Sequence, residues 1–234
     1  MSFAFFDVDD TLIRIKSMFD FFPFWCDRQG QPDQLPPFLA AFAEAAARGQ
    51  PREDLNRLYY RFFAGVPEAR LIEVGQLWAD DRFGPSEPAP AALVAPVVDR
   101  LRAHQAQGVT PVFVSGSMPA LLAPLGRRLG VGHWLCTRQE VDDHGILTGR
   151  ILPPQTIGAG KAAAMGSFLA ARGVSAGDCF AYGDDLSDAP MLDLVGHPLA
   201  VIGSPALADL ARRRGWPTLA TAIPDTVRNE GEPV

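Results

Sequence analysis

Four short apolar runs, each ending at a polar residue or a glycine, constrain the fold of this chain most strongly. The runs are Phe3–Phe6, Val109–Val114, Cys179–Tyr182 and Leu199–Ile202. Continuous apolar strands of this length are typical of parallel sheets, whose strands are buried on both faces. The helical patterns between and after them cover Ala92–Gln107, Pro119–Leu129, Lys161–Arg172, Leu186–Val195 and Ala206–Arg214. This alternation predicts an open α/β sheet that binds its ligands at the carboxyl ends of the strands.

Two stretches interrupt the alternation. Trp134–Ile151 has alternating residues on both sides of a polar Asp-Asp-His-Gly turn, which predicts a small β-hairpin. Ile13–Pro90 contains Phe- and Ala-rich helical pieces and ends in the Pro-rich connector Pro85–Pro90. We therefore predict an α/β core of residues 1–12 and 91–234, interrupted by an all-helical domain of residues 13–90.

Charge and hydropathy limit the partners of the chain. Its 234 residues carry 21 Lys plus Arg against 27 Asp plus Glu, a net charge of −6 that argues against nucleic-acid binding. The apolar run Phe19–Trp25 is too short to span a bilayer, and no secretory signal precedes it, so we expect no membrane partner. The three widely spaced cysteines fit a reducing compartment and a cytoplasmic location. These features leave monomer and homodimer both open.

Polar residues follow the predicted strands where parallel strands place their ligands. They are Asp7, Asp9 and Thr11 after the first strand, Ser115 and Gly116 after the second, Asp184 and Asp188 after the third, and Lys161 at a helix start. Several carboxylates held together repel one another unless a cation lies among them, and oxygen ligands favour Mg²⁺. A lysine and a hydroxyl beside that ion would complement a phosphoryl group. The set therefore predicts phosphoryl-transfer chemistry.

The order and spacing of these residues resemble a known family. The motifs are Asp7-x-Asp9-x-Thr11, Ser115 after an apolar strand, Lys161, and Gly183-Asp184-x-x-x-Asp188. With all four in register, the chain resembles the Mg²⁺-dependent phosphatases of the haloacid dehalogenase superfamily. It most resembles subfamily IB, which includes the phosphoserine phosphatases and inserts a helical C1 cap directly after the first motif. The resemblance implies a Rossmann-like three-layer parallel sheet core with this cap formed by the insertion.

The resemblance also implies a role for each motif residue. Asp7 would be the nucleophile that forms an aspartyl-phosphate, and Asp9 would be the general acid and base. Thr11 would support the loop, and the phosphate-binding set would comprise Thr11, Ser115, Gly116 and Lys161. The Mg²⁺ ligands would be Asp7, the backbone carbonyl of Asp9, Asp184 and Asp188, the last directly or through water. An Asp at position 9 is typical of family members that hydrolyse phosphate esters.

The resemblance implies a small-molecule phosphate ester as the substrate, and Lys16 bears on which one. Phosphoserine phosphatases carry a Glu nine residues after the nucleophile, where this chain has Lys16. A lysine there disfavours an ammonium group, so we favour a sugar, cyclitol or other polyol phosphate bound by Lys16. Phosphoserine is the alternative substrate. A phosphotransferase or phosphomutase with the same nucleophile and a non-catalytic binding protein are the alternative functions.

Overall fold

The computed structural model describes residues 2–84 and 90–220. Within them the strands are β1 (Phe3–Phe6), β2 (Thr110–Ser115), β3 (His133–Cys136), β4 (Arg138–Val141), β5 (Leu147–Leu152), β6 (Phe180–Gly183), β7 (His197–Ile202) and β8 (Thr218–Ala220). The α-helices are α1 (Ser17–Gln29), α2 (Leu35–Ala47), α3 (Arg52–Arg61), α4 (Glu68–Phe83), α5 (Ala95–Ala106), α6 (Pro119–Leu129), α7 (Ala159–Ala170), α8 (Ala189–Leu194) and α9 (Pro205–Arg214). Of the predicted connector Pro85–Pro90, only Pro90 lies within the described residues, at the start of the 3-10 turn Pro90–Ala92.

The main sheet has six parallel strands in the order β3-β2-β1-β6-β7-β8. The central strand β1 is buried on both faces, because Phe3 and Phe5 join one hydrophobic cluster and Ala4 and Phe6 join another. Helices α7, α8 and α9 contribute to the first cluster, and α5 and α6 contribute to the second. The predicted three-layer α/β core with a parallel sheet is therefore confirmed.

The predicted hairpin Trp134–Ile151 is correct only in its second part. Trp134 lies in β3, which pairs with β2 in the main sheet, with Phe113 opposite Trp134. The antiparallel pair is β4 with β5, where Arg138 lies opposite Leu152. A single residue separates β3 from β4, so the two strands read as one segment in the sequence. The edge strand β8 was not predicted, since three residues are too few for a recognisable pattern.

The predicted helix Leu186–Val195 consists of two parts. A 3-10 turn covers Leu186–Asp188, and α8 follows it. Asp185 caps the turn, with its carboxylate accepting a hydrogen bond from the Ser187 backbone N–H at 2.9 Å. Pro190 lies in the first turn of α8, where its missing N–H costs no hydrogen bond within the helix.

Helices α1–α4, which we call the inserted helices, lie between β1 and α5 in the chain. Most of their aromatic side chains are buried in the same hydrophobic cluster as Phe6 of the sheet, whereas Phe19 is exposed; the buried ones include Phe21, Phe22, Phe38, Tyr59 and Phe63. The aromatic run near Phe22 is therefore core, as is usual for such a stripe. Among the described residues, every helix is too short or too polar to traverse a bilayer.

The two connections between the inserted helices and the sheet lie side by side. The Arg14 N–H donates to the Ala92 carbonyl at 3.0 Å, and the Val94 N–H donates to the Leu12 carbonyl at 2.9 Å. The chain thus leaves the α/β core and returns to it at one place, near the boundaries predicted at residues 12 and 91.

Helix α4 packs closely against α6, and we call this contact the α4–α6 interface. Gly75 is required there, because a Cβ atom on it would lie 2.3 Å from the Ala120 carbonyl oxygen. The Arg128 guanidinium is buried and donates to the Gly84 carbonyl at 2.8 Å and the Pro124 carbonyl at 2.9 Å. It also forms an ion pair with Asp80 of α4.

Candidate active site

The chain leaves the sheet immediately after β1 and makes one tight turn. The N–H groups of Leu12 and Ile13 both donate to the Val8 carbonyl, at 2.8 and 3.1 Å. Asp10 adopts a left-handed conformation with φ of 60°, which Asp tolerates better than most residues. The turn brings the polar side chains that follow β1 to the carboxyl end of the sheet, where the sequence predicts a site.

A buried ionic network occupies this end of the sheet. Lys161 Nζ lies 2.6 Å from Asp7 Oδ1 and 2.6 Å from Asp188 Oδ1. The other oxygen of Asp188 accepts hydrogen bonds from the backbone N–H groups of Asp184 and Asp185, each at 3.2 Å. The side chains of Lys161 and Asp188 are 6% and 1% exposed, so their charges interact with little screening by water.

Thr11 connects the two acidic strand ends. Its Oγ1 lies 2.7 Å from Asp184 Oδ1 and 3.1 Å from Asp7 Oδ2, and the hydroxyl is fully buried. Oxygen atoms of Asp7, Asp184 and Asp188 all lie within 4.8 Å of one another. The Thr11 hydroxyl therefore contacts two of these three carboxylates.

The electrostatics of these carboxylates fit a bound cation. Burial, followed by the charges of Asp7 and Asp188, raises the pKa of Asp184 to about 9. Burial also raises the pKa of Asp188 to about 6, although Lys161 opposes the shift. The pKa of Lys161 is raised by Asp188 and Asp7 despite its burial, so it stays protonated and balances part of the negative charge. An all-oxygen donor set with surplus negative charge fits a hard divalent cation such as Mg²⁺.

Asp9 lies in a separate polar cluster beside this network. Its Oδ2 accepts a hydrogen bond from Ser17 Oγ at 3.0 Å, and Ser17 Oγ lies 3.2 Å from Ser117 Oγ. Burial, together with the charge of Asp7, raises the pKa of Asp9 to about 7. A carboxyl group with this pKa can give and take a proton near neutral pH, as the general acid and base role requires.

Ser115 is the last residue of β2, and Gly116 begins the loop that follows it. Ser115 Oγ accepts a hydrogen bond from the Ser117 backbone N–H at 3.0 Å. The Gly116 carbonyl accepts hydrogen bonds from Asn56 Nδ2 at 2.9 Å and from Tyr60 Oη at 2.8 Å. This loop is therefore held by α3 of the inserted helices as well as by the sheet.

Lys16 lies at the edge of the site. It forms an ion pair with Asp10 at 2.8 Å and its side chain is 50% exposed, so it does not join the buried network. Its pKa is raised, since the attraction of Asp10 outweighs the opposing effect of burial. Close by, Arg52 of α3 forms an ion pair with Asp185 and so joins the inserted helices to the loop after β6.

Comparison with known proteins identifies the family of the chain. Residues 4–193 match the haloacid dehalogenase-like hydrolases, a span that contains all of the motif residues. The chain belongs to this family. The family resemblance read from the motifs is therefore confirmed, and so is the expected enzyme class.

Relatives within the haloacid dehalogenase-like hydrolases include named phosphatases. A probable phosphatase of Mycobacterium tuberculosis is 31% identical over 97% of this chain and 77% of its own length. The phosphoserine phosphatase SerB1 of the same organism is 31% identical over 91% of this chain and 68% of its own length. A solved structure from Bordetella pertussis, of a protein of unknown function, superposes with a TM-score of 0.80 at 28% identity and covers 93% of this chain and 97% of that one.

The structure brings most of the predicted site residues together. Those joined by direct contacts in the buried network are Asp7, Thr11, Lys161, Asp184 and Asp188. Sequence analysis missed Ser17, Asn56 and Tyr60, which come from the inserted helices and contact the loops after β1 and β2. Only Ser17 had a local signal, since it is a polar residue at the first position of a helix that follows the motif.

Proposed function

We propose that this protein is a Mg²⁺-dependent phosphomonoester hydrolase that acts through an aspartyl-phosphate on Asp7. The observation that supports this most is the buried network of Asp7, Lys161 and Asp188, next to Asp184 at the same sheet edge. Membership of a hydrolase family with phosphatase relatives supports the same reaction.

Each residue has a task in this proposal. Asp7 attacks phosphorus in line and breaks the bond to the leaving oxygen, while Asp9 gives a proton to the departing alcohol. Asp9 then takes a proton from the water that hydrolyses the aspartyl-phosphate. Lys161 and Ser115 hold the oxygens of the transferring phosphoryl group, and the Lys161 ammonium offsets the charge that develops there.

We propose that Mg²⁺ is held by Asp7, Asp184 and the backbone carbonyl of Asp9. When bound, the ion supplies charge neutralisation at the phosphoryl group. Both oxygens of Asp188 are engaged, one by Lys161 and one by the backbone N–H groups after β6, so we assign Asp188 mainly to positioning Lys161 and Asp184.

For the substrate we propose a small phosphate ester. We treat residues 13–90, which contain the inserted helices, as the cap that selects it. Lys16 and Arg52 place two cations at the edge of the site, and both are paired with carboxylates. The preference for a sugar, cyclitol or other polyol phosphate stays a prediction from Lys16. Phosphoserine is the second candidate, favoured by the similarity to SerB1. The cytoplasmic location also stays a prediction.

Phosphate release from p-nitrophenyl phosphate tests the proposal. We expect Asp7→Asn to lower kcat/KM by roughly 10³-fold or more, because no other group can form the covalent intermediate. We also expect chelation of divalent cations to abolish turnover and Mg²⁺ to restore it. The matched control is Asp209→Asn, which changes an exposed carboxylate of α9. Equal activity of the wild-type protein and Asp7→Asn would overturn the mechanism.

A panel of phosphorylated metabolites then separates the substrate candidates. A sugar or cyclitol phosphate with the highest kcat/KM supports the role given to Lys16. Preference for phosphoserine contradicts it. A phosphorylated product in place of free phosphate identifies a phosphotransferase or phosphomutase instead.

A further inference from the structure

Ser17 connects the inserted helices to the proposed acid and base. It is the first residue of α1 and is 1% exposed. Its hydroxyl oxygen lies 3.0 Å from Asp9 Oδ2 and 3.2 Å from Ser117 Oγ. Three segments therefore meet at this hydroxyl: the loop after β1, the start of α1 that follows it in the chain, and the loop after β2, which lies 100 residues further along.

The number of protons in the cluster decides how its hydrogen bonds run. A serine hydroxyl has one proton to donate, whereas an ionised carboxylate can only accept. The Ser17 proton is therefore donated to Asp9 Oδ2, and Ser117 donates its own proton to Ser17 Oγ. The bonds form a chain from Ser117 through Ser17 to Asp9, in which the Ser17 hydroxyl serves as both donor and acceptor.

The two oxygens of the Asp9 carboxyl group thus have different surroundings. Oδ2 is engaged by Ser17, while Oδ1 is buried without a hydrogen-bond partner among the described residues. A proton on Oδ2 would displace the Ser17 donor, whereas a proton on Oδ1 leaves that bond intact. Burying an oxygen without a hydrogen-bond partner costs free energy, and a catalytic role is one reason why such an atom is retained.

We propose that Ser17 is a positioning residue that fixes Asp9 through Oδ2, so that Oδ1 is the oxygen that exchanges the proton with the leaving alcohol. The inference rests on the proposed function, since it assigns Ser17 a task in that reaction. Without the Ser17 hydroxyl the carboxyl group keeps its contact with the Ser17 backbone but rotates more freely about its Cβ–Cγ bond, and the protonated oxygen spends less time facing the leaving group. The first helix of the insertion therefore contributes to the chemistry as well as to the enclosure of the site.

The test uses two substrates that differ in their need for an acid. p-Nitrophenolate leaves without protonation, whereas the alkoxide of glycerol 1-phosphate needs a proton to leave. We compare kcat/KM, which reports the steps up to departure of the alcohol. We expect Ser17→Ala to lower kcat/KM for glycerol 1-phosphate by about 10- to 100-fold and for p-nitrophenyl phosphate by less than about 3-fold.

Three further variants make the result specific. Ser17→Thr keeps the hydroxyl and should restore kcat/KM for glycerol 1-phosphate to within about 3-fold of the wild-type value. Ser117→Ala removes the donor to Ser17 and should give a smaller loss with the same order of substrates. Ser175→Ala is the matched control, since it removes an exposed serine that caps a 3-10 turn far along the chain and should change neither substrate.

The outcomes separate this inference from the proposed function. Equal losses for both substrates, or no loss for glycerol 1-phosphate, would overturn the role of Ser17 while the wild-type protein still hydrolyses both. A wild-type protein without Asp7-dependent phosphate release would instead overturn the proposed function. Circular dichroism and thermal unfolding show whether Ser17→Ala is folded; if it is not, Ser117→Ala decides by the same substrate comparison.

Discussion

Two of the contacts between the inserted helices and the α/β core have opposite character. At the α4–α6 interface, backbones pack closely at Gly75 and the buried Arg128 guanidinium binds two carbonyl oxygens and a carboxylate. Over the site, by contrast, the contacts include single polar groups of Ser17, Asn56 and Tyr60 and the exposed ion pair of Arg52 with Asp185. The first interface is built to hold the insertion in place. The second joins it to the loops that carry the proposed chemistry.

The largest stability effect is expected at the α4–α6 interface. Arg128→Met should lower the free energy of unfolding by about 2–4 kcal/mol, because buried acceptors lose their donor. Urea denaturation measures this change, and kcat/KM per folded molecule should stay the same. Arg127→Met is the matched control at the adjacent exposed position, where the hydrogen bond to Gln76 of α4 is open to water, and it should cost less than about 0.5 kcal/mol. Equal effects of the two variants would contradict the distinction between the interfaces.

The α4–α6 interface stabilises the fold, whereas the metal-free site is expected to destabilise it. The pKa of Asp184 is raised from 3.8 to about 9, so its contribution to stability is complete below pH 3.8 and is lost as the pH rises towards about 9. Without divalent cations, Asp184→Asn should therefore raise the Tm by about 2–6 °C at a pH of about 8, and less as the pH falls. The variant amide keeps an oxygen that can accept the Thr11 hydroxyl.

Added Mg²⁺ should raise the Tm of the wild-type protein but not that of Asp184→Asn, so that the wild-type protein becomes the more stable of the two. Thermal unfolding at several pH values measures both effects, with Asp209→Asn as the control for loss of an exposed carboxylate. A less stable Asp184→Asn at alkaline pH would show that the carboxylate stabilises the metal-free site, contrary to this prediction.

The smallest effects separate two neighbouring tyrosines. Tyr59 Oη donates to the Met18 carbonyl within the inserted helices, whereas Tyr60 Oη donates to the Gly116 carbonyl of the core, each at 2.8 Å. Either change to Phe should cost about 1 kcal/mol of stability. Only Tyr60→Phe should lower kcat/KM, by about 3- to 10-fold, because it loosens Gly116 and the loop next to Ser115. A similar kinetic loss in Tyr59→Phe would remove the difference.

Much of the fold could be predicted because its signals are local. The four apolar runs all correspond to strands of the main sheet, and their burial on both faces follows from their continuous apolar character. The strands that were misassigned or missed are β3 and β8, at the two edges of the sheet. The position of an edge strand depends on which strand of the sheet has an unpaired edge. Short strands carry too little sequence pattern to indicate that pairing.

The candidate site also has one part that local sequence predicts and another that it does not. Its residue types and order lie in short motifs after strands, so the gathering of Asp7, Lys161, Asp184 and Asp188 could be expected from the rule for parallel sheets. Lys16 lies near the site because it follows the first motif closely in the chain. Its ion-pair partner, however, is Asp10. Choosing between a substrate group and a carboxylate as its partner requires the positions of side chains.

The sequence by itself determined the α/β class, the polar strand ends and the helical character of the insertion, because each follows from residues close together in the chain. Only the tertiary structure decided that Ser17 meets Asp9 and Ser117, and that Asn56 and Tyr60 bind Gly116. Hydrophobic periodicity reports which face of a helix is buried. The polar group that a buried hydroxyl or amide meets depends on how that face packs against segments roughly 50 to 100 residues away.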